Sequence, residues 1–227
     1  DVLDRMADEL EQAEDFDLAV HDLIKKSLTD HNRIVFNGNG YSEVWVKEAE
    51  RRGLPNIKNM VDAIPALTTK KAIDLFGKHH VFTPVELHSR AEVLYESYSK
   101  TINIEAKTMI SMASVQYIPA VINYTRKLAD SINAVKAAAP DIDVSVQTEL
   151  LKETSKLLYE AEAARKKLNA VVSEASSMGE GADQAVFFRD KVIPAMAKLR
   201  APIDSLELIV DKELWPVPTY GDLLFEV

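Results

Sequence analysis

The 227 residues contain no cysteine. That excludes disulfides, thiolate zinc sites and a cysteine nucleophile, and it fits a cytosolic origin. Glycine is scarce at seven, which argues against a loop-rich or all-β fold. No apolar run reaches the roughly 18 residues a membrane-crossing helix needs, and no secretory leader is expected. The phosphate-loop patterns GxGxxG and GxxxxGK[ST] are absent, as are HExxH and GxSxG. Basic residues are outnumbered, 27 to 36, for a net charge of −9. This disfavours a nucleic-acid surface or an anionic membrane as a partner. What remains is 47% apolar, enough for a folded core.

Helical periodicity dominates what is there. The opening DVLDRMADELEQA is already in helical period, with Val2, Leu3, Met6 and Leu10 on one face. With no initiator Met, it is expected to be a cut inside a longer chain. A second helix is predicted from Phe16 to about Thr29, with Phe16, Val20, Leu23, Ile24 and Ser27 or Leu28 inward. Asn56 to Leu67 reads as loop, broken by Pro55 and Pro65. A short helix fits Thr69 to Phe76, ending near Gly77.

Thr83-Pro84-Val85-Glu86 is a capping box with proline at the first helical position. No glycine follows until Gly179, and helical period runs to about Ala138. Leu87, Ala91, Leu94 and Tyr98 make a stripe. Ile110, Tyr117, Tyr124 and Ser131 then alternate with Ser114, Val121, Leu128 and Val135 at heptad spacing. Such a helix spans about 80 Å, with a kink expected near 115–119 from Pro119. Pro140-Asp141 marks a turn.

The next helix, about 143–177, carries Leu150, Leu157, Ala164 and Val171 in one row and Thr154, Ala161, Leu168 and Ala175 in the other. The last, about 182–213, sets Ala185, Val192, Leu199 and Leu206 against Phe188, Ala195, Pro202 and Ile209, bent by Pro194 and Pro202. Short turns between long helices imply antiparallel neighbours. The predicted fold is mainly α, a long antiparallel three-helix bundle or coiled coil with a smaller N-terminal helical subregion and little or no sheet. Predicted regions are 1–82, 83–213 and an apolar tail, 214–227, pinned to its own bundle or to a neighbouring subunit. Ile-Pro-Ala occurs at 64–66, 118–120 and 193–195, at unequal spacings that read as coincidence.

The segment Arg33–Gly53 differs in character. Arg33-Ile34-Val35-Phe36 is a short β-type run. Asn37, Gly38, Asn39 and Gly40 tolerate positive φ and permit a sharp reversal. Ser42 is a good N-cap with Glu43 in the first turn. Gly53 occupies the position after the helix and Pro55 stops continuation.

Candidate chemistry is thin. His79, His80 and His88 lie near Glu86 and Glu92, and His88 and Glu92 are one turn apart, a geometrically feasible metal pair. Glu96, Asn103 and Glu105 are potential acid–base groups if buried. Both sets read more simply as solvated groups or bundle hydrogen bonds, and Met109 and Met112 as core filling. No catalytic, cofactor-binding or metal-binding residue is assigned.

FNGNGYSEVWVKEAERRGLPN, LFGKHHVFTPVELHSR, YSKTINIEAKTM and the ending LWPVPTYGDLLFEV together resemble the C-terminal region of type III glutamine synthetases. The resemblance implies a parent enzyme that makes glutamine from glutamate, ammonia and ATP with Mg²⁺ or Mn²⁺, in large rings in the cytoplasm. It implies as partners the rest of that chain and neighbouring subunits. The family's Glu-aromatic-Arg strand has no match; Phe187-Phe188-Arg189 lies in a heptad helix. This segment alone is therefore expected to lack activity and to hold no cofactor. His80 stands where the family is expected to carry glycine. The alternative is a free-standing helical scaffold that binds a partner through its long helices.

Overall fold

The computed structural model describes residues 1–218 and 220–225, the side chain of Tyr220 apart. It is 78% helical, with no strand among the described residues, so the fold is mainly α. The chain forms two compact units, Asp1–Lys58 and Asn59–Val227.

In the first unit, α1 (Val2–Glu11) packs on α2 (Phe16–His31). Asp15 caps α2 by accepting from the Leu18 N–H at 3.0 Å. Met6, Leu10, Val20 and Leu23 are half-buried, and no described residue of this unit is buried. The β-type run becomes a 3₁₀ turn, Asn32–Ile34, followed by extended chain at Val35. Helix α3 (Glu43–Arg51) follows, capped by Ser42. It ends as expected: Gly53 has φ +69°, and Gly53 and Leu54 N–H donate to Glu50 and Ala49 carbonyls. This is a Schellman stop.

The second unit opens where a loop was expected. Asn59 caps a short helix α4 (Met60–Ala63), accepting from Asp62 N–H at 2.9 Å. Pro65 sits in the first turn of the 3₁₀ segment Ile64–Thr68, where its missing N–H costs nothing. Val61 and Ile64 are buried, and these elements pack on α6. The compact units divide between Lys58 and Asn59.

Helix α5 (Lys70–Lys78) runs through Gly77 and stops at His80, which has φ +54°. The N–H groups of His80 and Val81 donate to the carbonyls of Gly77 and Phe76. This is the same stop as at Gly53, with histidine in the glycine position.

The bundle follows. Helix α6 (Pro84–Met112) begins at the predicted capping box: Thr83 accepts from Glu86 N–H, and Glu86 accepts from Thr83 N–H at 2.7 Å. A five-residue π turn, Ala113–Tyr117, joins α6 to α7 (Ile118–Ala138). Helix α8 (Ser145–Ser177) returns. Helix α9 (Ala182–Phe187), a second π turn (Phe188–Val192) and α10 (Ile193–Glu207) form the third rod. A short α11 spans Tyr220–Phe225.

Both π turns end immediately before an Ile-Pro pair. There the N–H of Ile118 or Ile193 donates five residues back, to Ala113 or Phe188. The wide turn admits the proline ring that would strike a regular turn's carbonyl. The three Ile-Pro-Ala sites thus share a local role: each opens a change of winding, the first into the 3₁₀ segment. They do not form a repeat.

Helix α8 packs on α7 and α10, and α6 packs on α8, α9 and α10. One core cluster joins Ala106, Leu168, Val172, Phe188, Val192 and Leu199. The other joins Val121, Tyr124, Ala161, Leu206, Val210 and Trp215. The row Thr154, Ala161, Leu168 and Ala175 is buried throughout, whereas Leu150, Leu157 and Ala164 are half-buried. On the first rod the buried row is Ser99, Ala106 and Ala113, then Val121 and Leu128. The step from 113 to 121 is eight residues instead of seven, because the π turn adds one.

Candidate functional site

The candidate histidines and carboxylates are not brought together. Among the described residues no three His, Asp or Glu side chains converge as a metal site. His79, His80, His88 and Glu92 are exposed. Glu86 is committed to Thr83, whose N–H and hydroxyl hold its carboxyl below the usual range. Glu96 pairs with Lys100. Asn103 is half-buried, with an Oδ1 that has no partner. Glu105, two residues on, lies across the helix and is exposed. Met109 and Met112 line a cavity of about 240 Å³ with Tyr117, Leu199, Ile203 and the Arg200–Asp204 pair. Arg189 lies in the second π turn. It chelates Asp190 and reaches Asp62, which raises its pKa above the ordinary arginine value.

The most organised polar structure surrounds the Asn–Gly segment. Arg52 Nη1 donates to the carbonyls of Val35 (2.7 Å) and Arg33 (3.2 Å), while its Nε donates to Glu48 at 2.6 Å. Its guanidinium lies 5.6 Å from the Trp45 ring centre, within cation–π range. Trp45 in turn stacks on Phe36 with ring centres 4.3 Å apart. Arg51 chelates Glu48 through 2.7 and 2.6 Å bonds. Hydrogen bonds from Arg51 and then Arg52 pull the Glu48 carboxyl down to a pKa of about 2.

The far side of the turn is fixed by Asn39. Its Oδ1 accepts from Tyr41 N–H at 3.0 Å, and its carbonyl accepts the Ser42 hydroxyl at 2.7 Å. The turn uses no positive φ, contrary to expectation: among the described residues only Gly53, His80 and Gly181 have one. Gly38 is required for another reason. A Cβ there would lie 2.7 Å from Phe36 Cζ, so the ring stacked on Trp45 would have to shift. Sequence reading saw the turn and the caps. It missed the clamp, because Arg52 reaches carbonyls 17 and 19 residues upstream and local spacing carries no signal of that.

The tail's anchor is Trp215. It is 8% exposed within the second core cluster and stacks on Tyr117 at 5.1 Å. At this point the tail docks on its own bundle. Asp222 pairs with Lys212, yet Leu223, Leu224 and Phe225 are exposed. The tail residues Thr219, Glu226 and Val227 lie outside the described residues.

Helical rods, capped turns and locally paired charges make up a mainly α-helical region. Residues 19–136 match the family model described as the glutamine synthetase C-terminal domain, and the chain belongs to that family. It is 35% identical over 208 residues to a glutamine synthetase from Butyrivibrio fibrisolvens, covering 92% of this chain and 30% of the relative. A type-3 glutamine synthetase from Dictyostelium discoideum is 35% identical over 215 residues, covering 91% and 29%. A glutamine synthetase from Bacteroides fragilis is 29% identical over 213 residues, covering 92% and 29%. The chain thus spans about 30% of the length of these relatives and matches their C-terminal region. No described helix is long and apolar enough to cross a membrane.

Proposed function

We propose that the chain is a non-catalytic helical region of a type III glutamine synthetase, and that it serves the architecture and oligomeric assembly of the parent. The parent reaction is the ATP-dependent ligation of ammonia to glutamate, with Mg²⁺ or Mn²⁺, in the cytoplasm. Its metals and phosphates are held outside this segment. The observation that carries this reading is how the charged groups are used. Glu48, Glu86, Glu96, Glu162 and Arg189 are each bound to a neighbour a few residues away. Phosphoryl transfer needs carboxylates and cations free to converge on metals and phosphates.

Two experiments test it. The isolated chain, assayed for γ-glutamyl transfer and ATP-dependent synthesis with Mg²⁺ and Mn²⁺, is expected to be inactive. Turnover that co-purifies with the protein refutes the non-catalytic reading. Deleting residues 143–227 from the full-length parent removes two of the three rods. Light scattering is expected to report altered assembly, with activity lost only as far as the active site depends on it. An unchanged oligomer of normal stability refutes the assembly role.

A further inference from the structure

We propose that the Asn37–Tyr41 turn is a pre-built docking finger, anchored by Tyr41, that seats in the portion of the parent polypeptide preceding this chain. This rests on reading the chain as part of a larger glutamine synthetase, and it names what the first unit binds.

Single exposed apolar side chains are ordinary on a protein surface. Tyr41 is not an ordinary case. It is fully exposed, at 101%, on a turn whose two ends are both fixed. On one side Arg52 holds the Arg33 and Val35 carbonyls and Phe36 lies on Trp45; on the other, Asn39 bonds Tyr41 and Ser42. Ordering a loop before contact removes an entropic cost from binding. An aromatic presented this way has the character of an interface anchor: large apolar area, few rotatable bonds and a hydroxyl at the far end. Its complement is an apolar slot with a hydrogen-bond acceptor or donor at the base.

The surroundings agree. Ile34 and Val35 just before the turn and Val44 just after it are exposed. They can form the rim that excludes water around an anchor. The first unit buries none of its described residues, and about 58 residues make a marginal domain even with a core. The matched relatives are roughly three times longer than this chain, so their remaining length can supply the slot. The family match runs through the turn.

The test is amide hydrogen exchange on this chain and on the full-length parent, with Tyr41→Ala and Tyr41→Phe in each. Circular dichroism and Trp45 emission of this chain should be unchanged by either variant, because the Tyr41 side chain is fully exposed and the bond to Asn39 is made by the backbone N–H. In the parent, amides of residues 38–46 should exchange much more slowly than in this chain. Tyr41→Ala should speed them about 30-fold, the effect of a hot-spot residue, with Tyr41→Phe in between. Equal exchange in parent and isolated chain overturns the proposal, and so does a Tyr41→Ala parent that behaves as wild type. Protection in the isolated chain that grows with its concentration also overturns it, by assigning the finger to a second copy. The activity assay and the 143–227 deletion leave Tyr41 untouched, so failure there and failure here are separable.

Discussion

The two units hold their shape by different means. Asn59–Val227 buries two apolar clusters between helices, so its order comes from many dispersed contacts, each small. Asp1–Lys58 buries nothing among its described residues, and it is tied instead by a polar and aromatic clamp around Arg52 and Glu48. Burial is insensitive to salt and pH, whereas exposed ion pairs are screened and titrate. The difference teaches where each unit is vulnerable. Tryptophan reports on both, since the sequence has two, Trp45 in one unit and Trp215 in the other.

The largest expected effect lies in the bundle. Leu168 is fully buried, and Leu168→Ala should cost about 2–5 kcal/mol. Leu157, only half-buried, should cost less on the same change. Thermal or urea unfolding followed at Trp215 should shift strongly for Leu168→Ala, with Trp45 unchanged. A matching shift at Trp45 would merge the two units energetically and end the comparison.

The capping box comes next. Thr83→Ala removes the acceptor for Glu86 N–H and should destabilise the bundle by about 1 kcal/mol, read at Trp215.

The two helix stops offer a reciprocal pair, one in each unit. Gly53 and His80 both occupy the left-handed position of a Schellman stop. An L side chain is strained there by about 1 kcal/mol. His80→Gly should therefore raise stability by about that much, and Gly53→Ala should lower it by a similar amount, although nothing lies within 4 Å of its added Cβ. If His80→Gly is neutral or harmful, the histidine side chain contributes something that offsets the strain.

These cases show how far the sequence could be read. The capping box, the Gly53 stop and the heptad rows of the second and third rods were legible because each depends on residues within a turn or two. The row Ser99, Ala106 and Ala113 was not, since small residues add little to a hydrophobic pattern although they let helices approach closely. The frame step at the first π turn was hidden too. Pro119 announced a disruption but not an inserted residue. Gly77 looked like a stop and lies inside a helix, because the winding ends where the left-handed residue is, at His80. No candidate site was legible beyond its turn, for the clamp is tertiary.

The smallest effect is the pH response of that clamp. Glu48 has its pKa lowered from 4.5 to about 2 by Arg51 and Arg52. A depressed carboxylate binds protons more readily in the unfolded chain than in the folded one. Its stabilising contribution is therefore full above about pH 4.5 and is lost as pH falls through about 2. Because the Arg51 partner is largely exposed, salt should weaken the cluster further. In a Trp215→Phe background, Trp45 emission should hold steady down through the ordinary carboxylate range and change only towards pH 2, with the change moving to higher pH in concentrated salt. Glu48→Gln should abolish that titration, and the Arg52 contacts to Val35 and Arg33 should then hold the turn less firmly at every pH. A Trp45 transition centred near pH 4.5 in the unmodified chain would mean that the clamp does not form in solution. The first unit would then have neither a core nor a buttress, and its order would have to come from whatever covers it.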